Sequence, residues 1–384
     1  MKTANYISIA CLIALILTAC NPERKQPESN PETNVMTTNS TKPFGKMADG
    51  QPVTEYTLTN KNGVSLSVIN YGGIITRLIT PDRNGVQEDI VLGYDSLAGY
   101  LKTTPYFGAI VGRYGNRIAN GKFTLDGQTY SLAQNNNGQH LHGGLKGFDK
   151  VFWNIQEAGR GKLKLTYLSK DMEEGYPGNL NVEVTYELTD DNELKIAYTA
   201  TTDKKTVVNL THHSYFNLTG NVKRDILDHQ ATLYTDKFVP VTKVLIPTGE
   251  LKDVAGTPFD FRKATAIGLR TNDNDQQLEF AGGYDHCWVL SSSDSIKHAA
   301  TVYEPVSGRM LDVYTTEPGI QFYCGNFLDG SITGKRGVVY KHRFGFCLET
   351  EHFPDSPNQK SFPSTELKPG EVYKTYTTYK FSVR

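Results

Sequence analysis

The chain has 384 residues, of which 38% are hydrophobic and 21% charged, enough apolar material for a large buried core. Lys and Arg (40) nearly balance Asp and Glu (41), and no long basic run disturbs that balance, so the electrostatic footprint of a nucleic-acid binder is missing. A small or neutral partner is expected.

In chain order, the first twenty residues read as an export signal rather than as part of the fold. Lys2 supplies the positive start, Ile7 to Leu17 is apolar, and Leu17-Thr18-Ala19-Cys20 follows. That apolar run is too short for a membrane-spanning helix, which needs about 20 residues. The segment resembles a bacterial lipoprotein signal, which implies a lipid-modified Cys20 and an exported protein anchored to the cell envelope through that lipid. An ordinary secretory signal cut nearby is the alternative. Asn21 adds no inner-membrane retention signal, which makes the outer membrane, facing the periplasm, the expected address. Residues 21–43 (NPERKQPESNPETNVMTTNSTKP) are polar and rich in Pro and Asn, without apolar periodicity, and read as a disordered tether. The folded domain is expected over residues 44–384.

From Val53 onward the pattern is strands and turns. Leu58, Val64, Leu66 and Val68 open an alternating run that leads into Tyr71-Gly72-Gly73-Ile74, where two glycines predict a bend or bulge. Val182, Val184, Tyr186 and Leu188 alternate, Thr189 to Asn192 turns, and Leu194, Ile196 and Tyr198 alternate back, predicting a hairpin. Ser96 to Lys102 predicts one short helical turn, and no long amphipathic helix is expected. The fold class read from these features is all-β, one large antiparallel β-sandwich. Cys287, Cys324 and Cys347 each stand beside aromatic or apolar residues, so buried free thiols are expected rather than a disulfide framework. No CxxC, HExxH, P-loop or dinucleotide fingerprint occurs, so neither a metal nor a cofactor is expected.

The polar residues concentrate in a few blocks. Val207 to Asn217 (VVNLTHHSYFN) begins like a strand, and strand alternation puts Thr211, His213 and Tyr215 on one side and His212, Ser214 and Phe216 on the other. Only one of the two histidines can face a given pocket, and periodicity does not choose between them. Gly112 to Ile118 (GRYGNRI) sets Arg113 and Arg117 around Asn116, and arginine's planar donors suit ligand oxygens. Leu141 to Gly144 (LHGG) places His142 before a glycine pair. Asp285 follows Gly282-Gly283, and Gln321 lies between apolar residues; either could instead cap a turn or satisfy backbone. Glu349 sits inside the apolar strand GFCLE, where a carboxylate needs hydrogen-bond partners or a raised pKa.

Taken in order, GRYGNRI, LHGG, NLTHHSYFNL, YDHCWVL, PGIQFY and CLETEHFPDSPN make the chain resemble the aldose 1-epimerase (galactose mutarotase) family from about Phe44 to the C-terminus. The resemblance implies a β-supersandwich fold, a free aldose such as galactose or glucose as substrate, and no cofactor. It implies Glu349 as general base at the anomeric hydroxyl and His213 as the acid that protonates the ring oxygen. Asn116, Arg117, His142, Asp285 and Gln321 would hold sugar oxygens. His212 is then expected to be structural, and a monomer is expected. One position departs from the pattern: the family usually has glutamine where this chain has Glu351, two residues beyond the base. On a strand the two carboxylates share a face, and the second charge would raise the pKa of Glu349 unless Glu351 points to solvent or pairs with a cation. Two other readings compete, a sugar-binding lipoprotein without chemistry and a glycoside-cleaving enzyme using Asp285 and Glu349. A phosphorylated-sugar epimerase is disfavoured by the exported location.

Overall fold

Alternating apolar residues bury every second side chain of Leu180–Leu188 and Glu193–Thr202, and the two strands pair antiparallel without a break from Leu180↔Thr202 to Leu188↔Leu194. The predicted hairpin is therefore present, and it extends beyond the residues that announced it. In this computed structural model Met1 and residues 38–102, 105–291 and 295–384 are described. The expected signal, Cys20 and the tether as far as residue 37 fall outside them.

The hairpin lies within a nine-stranded antiparallel sheet. Its spatial order is Asn154–Glu157, Lys162–Ser169, Leu180–Leu188, Glu193–Thr202, Tyr373–Val383, Arg309–Thr315, Lys297–Tyr303, Gln230–Leu233 and Thr265–Ala266. A second sheet of five strands runs Lys252–Asp253, Lys237–Val239, Asp285–Val289, Gly319–Tyr323 and Cys347–Glu351. Val184, Ile196, Leu311, Val313 and Tyr379 of the first sheet share one core cluster with Trp288, Ile320, Phe322 and Leu348 of the second. The Tyr379 hydroxyl donates to the Leu348 carbonyl at 2.9 Å, tying the layers together. This is the expected β-sandwich, with its core between two facing sheets.

A third sheet of five strands covers the N-terminal part of the domain, starting at Thr38–Lys46. That strand pairs with Pro52–Thr59, so Thr38–Pro43 belong to the fold and the expectation of a tether reaching residue 43 is corrected. It is an edge strand whose Ser40, Thr41, Lys42 and Pro43 are exposed. Backbone pairing holds it, and no apolar period marks it in the sequence. The Gly72-Gly73 bend is present: both glycines have positive φ, and a Cβ on Gly73 would collide with Ile110. Among the described residues the α-helices are two short ones, the expected turn at Leu97–Tyr100 and Gln276–Ala281, which the sequence reading did not anticipate. The latter has Asp275 as its N-cap, accepting from the Gln277 amide, and Gly282 as its left-handed terminator.

Candidate active site

The strands of the smaller sheet have two faces with different tasks. On Cys347–Glu351, Leu348 enters the core and Cys347, Glu349 and Glu351 face away from it; on Gly319–Tyr323, Ile320 and Phe322 enter the core and Gln321 and Tyr323 face away. Antiparallel register sets Gln321 directly opposite Glu349 and Tyr323 opposite Asp285. A cleft forms on this second face. Asn116, Arg117, Asn136, His142, His213, Tyr215, Asp285, Tyr323 and Glu349 are among its lining residues, together with Tyr106 and Phe327.

Loops deliver the remaining groups. Arg117–Ile118 pairs with His140–Leu141, and the His142 amide donates to the Asn116 carbonyl at 3.1 Å, so the GRYGNRI and LHGG blocks are zipped together. The Asn116 amide returns a 3.1 Å hydrogen bond to His142 Nδ1. Asn116 and His142 both adopt left-handed φ, 61° and 50°. Such conformations are uncommon outside glycine, and they aim both residues into the cleft. A Cβ on Gly143 would collide with the Gly112 carbonyl, so the glycine after His142 is required.

The expected strand in Val207–Asn217 is broken into short pieces, Thr206–Val207 and Thr211–His212, which bridge different neighbours. Alternation survives the break. His213 is pinned by Gly108 and Ala109 through its own carbonyl and amide, and its Nε2 stands 3.6 Å from Glu349 Oε1. Tyr215 stacks on it at 5.1 Å between centroids. His212 points the other way, against the Tyr186 ring, and neither of its ring nitrogens has a hydrogen-bond partner among the described residues.

Around Glu349 the polar groups are interlocked. Gln321 Nε2 donates to Asp285 Oδ1 at 2.7 Å, Arg117 lies 3.9 Å from Asp285 Oδ2, and Arg117 Nε donates to Asn136 Oδ1 at 3.3 Å. Gln321 Oε1 and Glu349 Oε2 have no partner among the described residues. Glu351 is fully buried, accepts from Asn116 Nδ2 at 2.8 Å and meets no cation in an ion pair among the described residues; the alternatives of solvent exposure or cation pairing are excluded. Burial raises the Glu349 pKa well above the usual carboxylate value, and the Glu351 and Asp285 charges push it further while Arg117 opposes them. Glu351 is raised in the same way, chiefly by burial. Burial lowers His213 to about 4, and lowers His142 well below the ordinary histidine value, with His213 and Arg117 adding to the effect.

These directions describe a buried carboxyl and a buried imidazole that both favour their uncharged forms and together hold one exchangeable proton. Such a pair can give and take protons on either side of a bound molecule. His142, His213 and Glu349 also bring ligand-type atoms within 4.8 Å of one another. The set does not fit a metal well, because His142 Nδ1 accepts from the Asn116 amide. Its hydrogen is thereby placed on Nε2, where a metal would need the lone pair.

The structure brings all seven residues singled out for the site into one region. Asn116, Arg117, His142, His213, Asp285 and Glu349 line the cleft, and Gln321 lies against Asp285 and opposite Glu349. Tyr106, Asn136, Tyr323 and Phe327 also line it and were not singled out. Tyr323 was legible from the alternation that carries Gln321; Tyr106 and Phe327 sit in loops with no such signal.

Residues 54–380 match the family model described as Aldose 1-epimerase. The chain is 48% identical over 340 residues to a galactose mutarotase of Bos taurus, covering 88% of this chain and 97% of that one. It is 40% identical over 337 residues to an aldose 1-epimerase of Escherichia coli K12, covering 87% and 96%. Among solved structures, galactose 1-epimerase from Lactobacillus acidophilus superposes with a TM-score of 0.79 at 27% identity, covering 90% of this chain and 99% of that one. A GalM/aldose epimerase homologue from C. elegans gives the same TM-score at 29% identity, covering 85% and 98%. With nearly the whole described domain matched in sequence and in fold, and with the cleft built from the matched region, the chain belongs to the aldose 1-epimerase family.

Proposed function

We propose that this chain interconverts the α and β anomers of free aldoses of the galactose and glucose type, by acid–base ring opening and reclosure. The observation that carries the reading is the His213 Nε2–Glu349 Oε1 approach of 3.6 Å inside a cleft lined by sugar-type hydrogen-bonding groups. Glu349 takes the proton of the C1 hydroxyl, the C1=O bond forms, the C1–O5 bond breaks, and His213 protonates O5. Rotation about C1–C2 and reclosure with the proton roles reversed give the other anomer, and both groups return to their starting states. Arg117, His142, Asp285 and Gln321, with Asn116 behind them, hold the sugar oxygens. Sugar hydroxyls and Arg117 favour the ionised pair over the uncharged pair of the empty cleft. Two positioned proton-transfer groups contribute roughly 10² to 10⁴-fold each.

The experiment is polarimetry of freshly dissolved α-D-galactose or α-D-glucose with protein lacking residues 1–20. Acceleration over buffer supports the reading; sugar binding without acceleration favours a binding protein and sinks it. Glycoside cleavage is the weaker alternative, since both Asp285 oxygens are engaged by Gln321 and Arg117 rather than left to donate a proton. The reading extends to an exported monomer anchored by a lipid on Cys20, supported by the Leu17–Cys20 sequence. Labelled fatty acid that is incorporated into the wild type and absent from Cys20→Ser would bear out the anchor, and sedimentation tests the monomer.

A further inference from the structure

Cys347 lies two residues before Glu349 on the same face of the same strand, fully buried, with its Sγ 3.5 Å from His213 Nδ1. The opposite ring nitrogen, Nε2, faces Glu349. One strand therefore contacts both nitrogens of the same imidazole. The other ionisable groups facing His213 are His142, which meets it edge-on at 5.1 Å, Tyr106 and Tyr215, which stack on it, and His212 beside it in the chain. A His142 ring nitrogen comes within 4.8 Å of a His213 ring nitrogen, and Glu349 and Cys347 are the ones of these groups paired with a His213 ring nitrogen among the described residues.

We propose that Cys347 is a positioning residue for the acid–base pair: its Sγ accepts the Nδ1 hydrogen of His213, which leaves the Nε2 lone pair aimed at Glu349. The assignment rests on the proposed mutarotation, because only an Nε2 that can both receive and release a proton serves both halves of that reaction. A neutral imidazole carries one ring hydrogen, so a lone pair on Nε2 requires the hydrogen on Nδ1 and an acceptor for it. A thiol sulfur is a weak acceptor. It selects the tautomer without stabilising the imidazolium as a carboxylate would, and the protonated ring remains a strong donor toward the sugar ring oxygen. Burial keeps Cys347 a thiol by pushing its pKa up, so no thiolate charge opposes this role.

The test reads the tautomer directly, by ¹⁵N NMR of the full chain labelled at histidine, with the His213 signals identified by their loss in His213→Asn. In the sugar-free wild type near neutral pH, His213 should show a protonated Nδ1 and an unprotonated Nε2. Cys347→Ala should shift hydrogen toward Nε2 and lower kcat about tenfold while KM stays within about twofold, because a positioned group and not a sugar contact is lost. Cys347→Ser, whose hydroxyl also accepts, should restore the wild-type tautomer and most of kcat. An Nε2-protonated His213 in the wild type overturns the proposal even if mutarotation is found. So does an unchanged tautomer in Cys347→Ala, or a serine variant no better than alanine. The NMR result stands apart from activity, so failure of this assignment is distinguishable from failure of the functional reading.

Discussion

Glu351 Oε1 accepts the side-chain amide hydrogen of Asn116 at 2.8 Å, a buried bond that ties the strand carrying Glu349 to the residue just before the Arg117–Ile118 strand. Where the family pattern has an amide, this chain keeps a carboxyl group, and it raises the Glu349 pKa as the second cause after burial. Replacing Glu351 by Gln removes that contribution. The acidic limb of kcat/KM against pH should therefore move to lower pH in Glu351→Gln, because Glu349 ionises more readily without the neighbouring charge. Identical profiles for the two proteins would reject the coupling.

The same substitution has a stability signature. A carboxyl whose pKa is raised by folding binds its proton more tightly in the native state. Its stabilising contribution is complete below the unfolded value of 4.5 and is lost as pH rises through the higher native value. Glu351→Gln should gain Tm over the wild type at about pH 8, with the gap narrowing toward pH 4.5. Equal gaps at both pH values would show that folding does not raise the Glu351 pKa.

Loss of either member of the proton-transfer pair should abolish most of the rate. Glu349→Gln and His213→Asn are each expected to reduce the polarimetric rate by roughly 10² to 10⁴-fold, with circular dichroism unchanged. A variant retaining more than about a tenth of the wild-type rate would remove that residue from the chemistry.

Arg117 should act on binding more than on turnover. Its Nε reaches Asn136 while its terminal nitrogen lies beside Asp285, a forked arrangement that lysine cannot reproduce. Arg117→Lys is expected to raise KM by about 10- to 100-fold, in line with losing a hydrogen bond to a charged group. Sugar titration followed by initial rates measures it, and an unchanged KM would contradict the assignment.

His212 supplies a control from the opposite face. Burial lowers its pKa to about 3, so between pH 6.5 and that value the unfolded chain binds a proton the folded chain refuses, and stability falls as pH falls. His212→Met should lack this loss. The stability difference between variant and wild type is expected to grow by about 2 kcal/mol in the variant's favour from pH 7 to pH 5, with mutarotation retained. Denaturant unfolding at the two pH values gives the comparison, and a constant difference would mean that His212 titrates normally in the fold.

Parts of this architecture were readable from residue order alone because they obey a period. Val182 to Leu188 and Leu194 to Tyr198 each alternate strictly, and the hairpin followed from them. Glu349 stood out as a carboxylate inside an apolar run, and Tyr215 and Tyr323 come with His213 and Gln321 by alternation. The choice of His213 over His212 lay beyond periodicity, since both directions of the alternation fit; the family pattern made it and the geometry agrees. Tyr106 and Phe327 come from loops, where position depends on long-range packing rather than local order. Thr38–Pro43 escaped notice because a solvated edge strand needs only backbone partners.

The strand Cys347–Glu351 presents Leu348 to the core and Glu349 to the cleft, so its pairing with Gly319–Tyr323 is constrained from both sides. A slip of one residue would put a carboxylate into the apolar layer and a leucine into the cleft. A molecule that has settled this strand pair with Leu348 inside has therefore also placed Glu349 and Gln321 on the cleft side. Recovery of catalytic rate after refolding thus requires this threading.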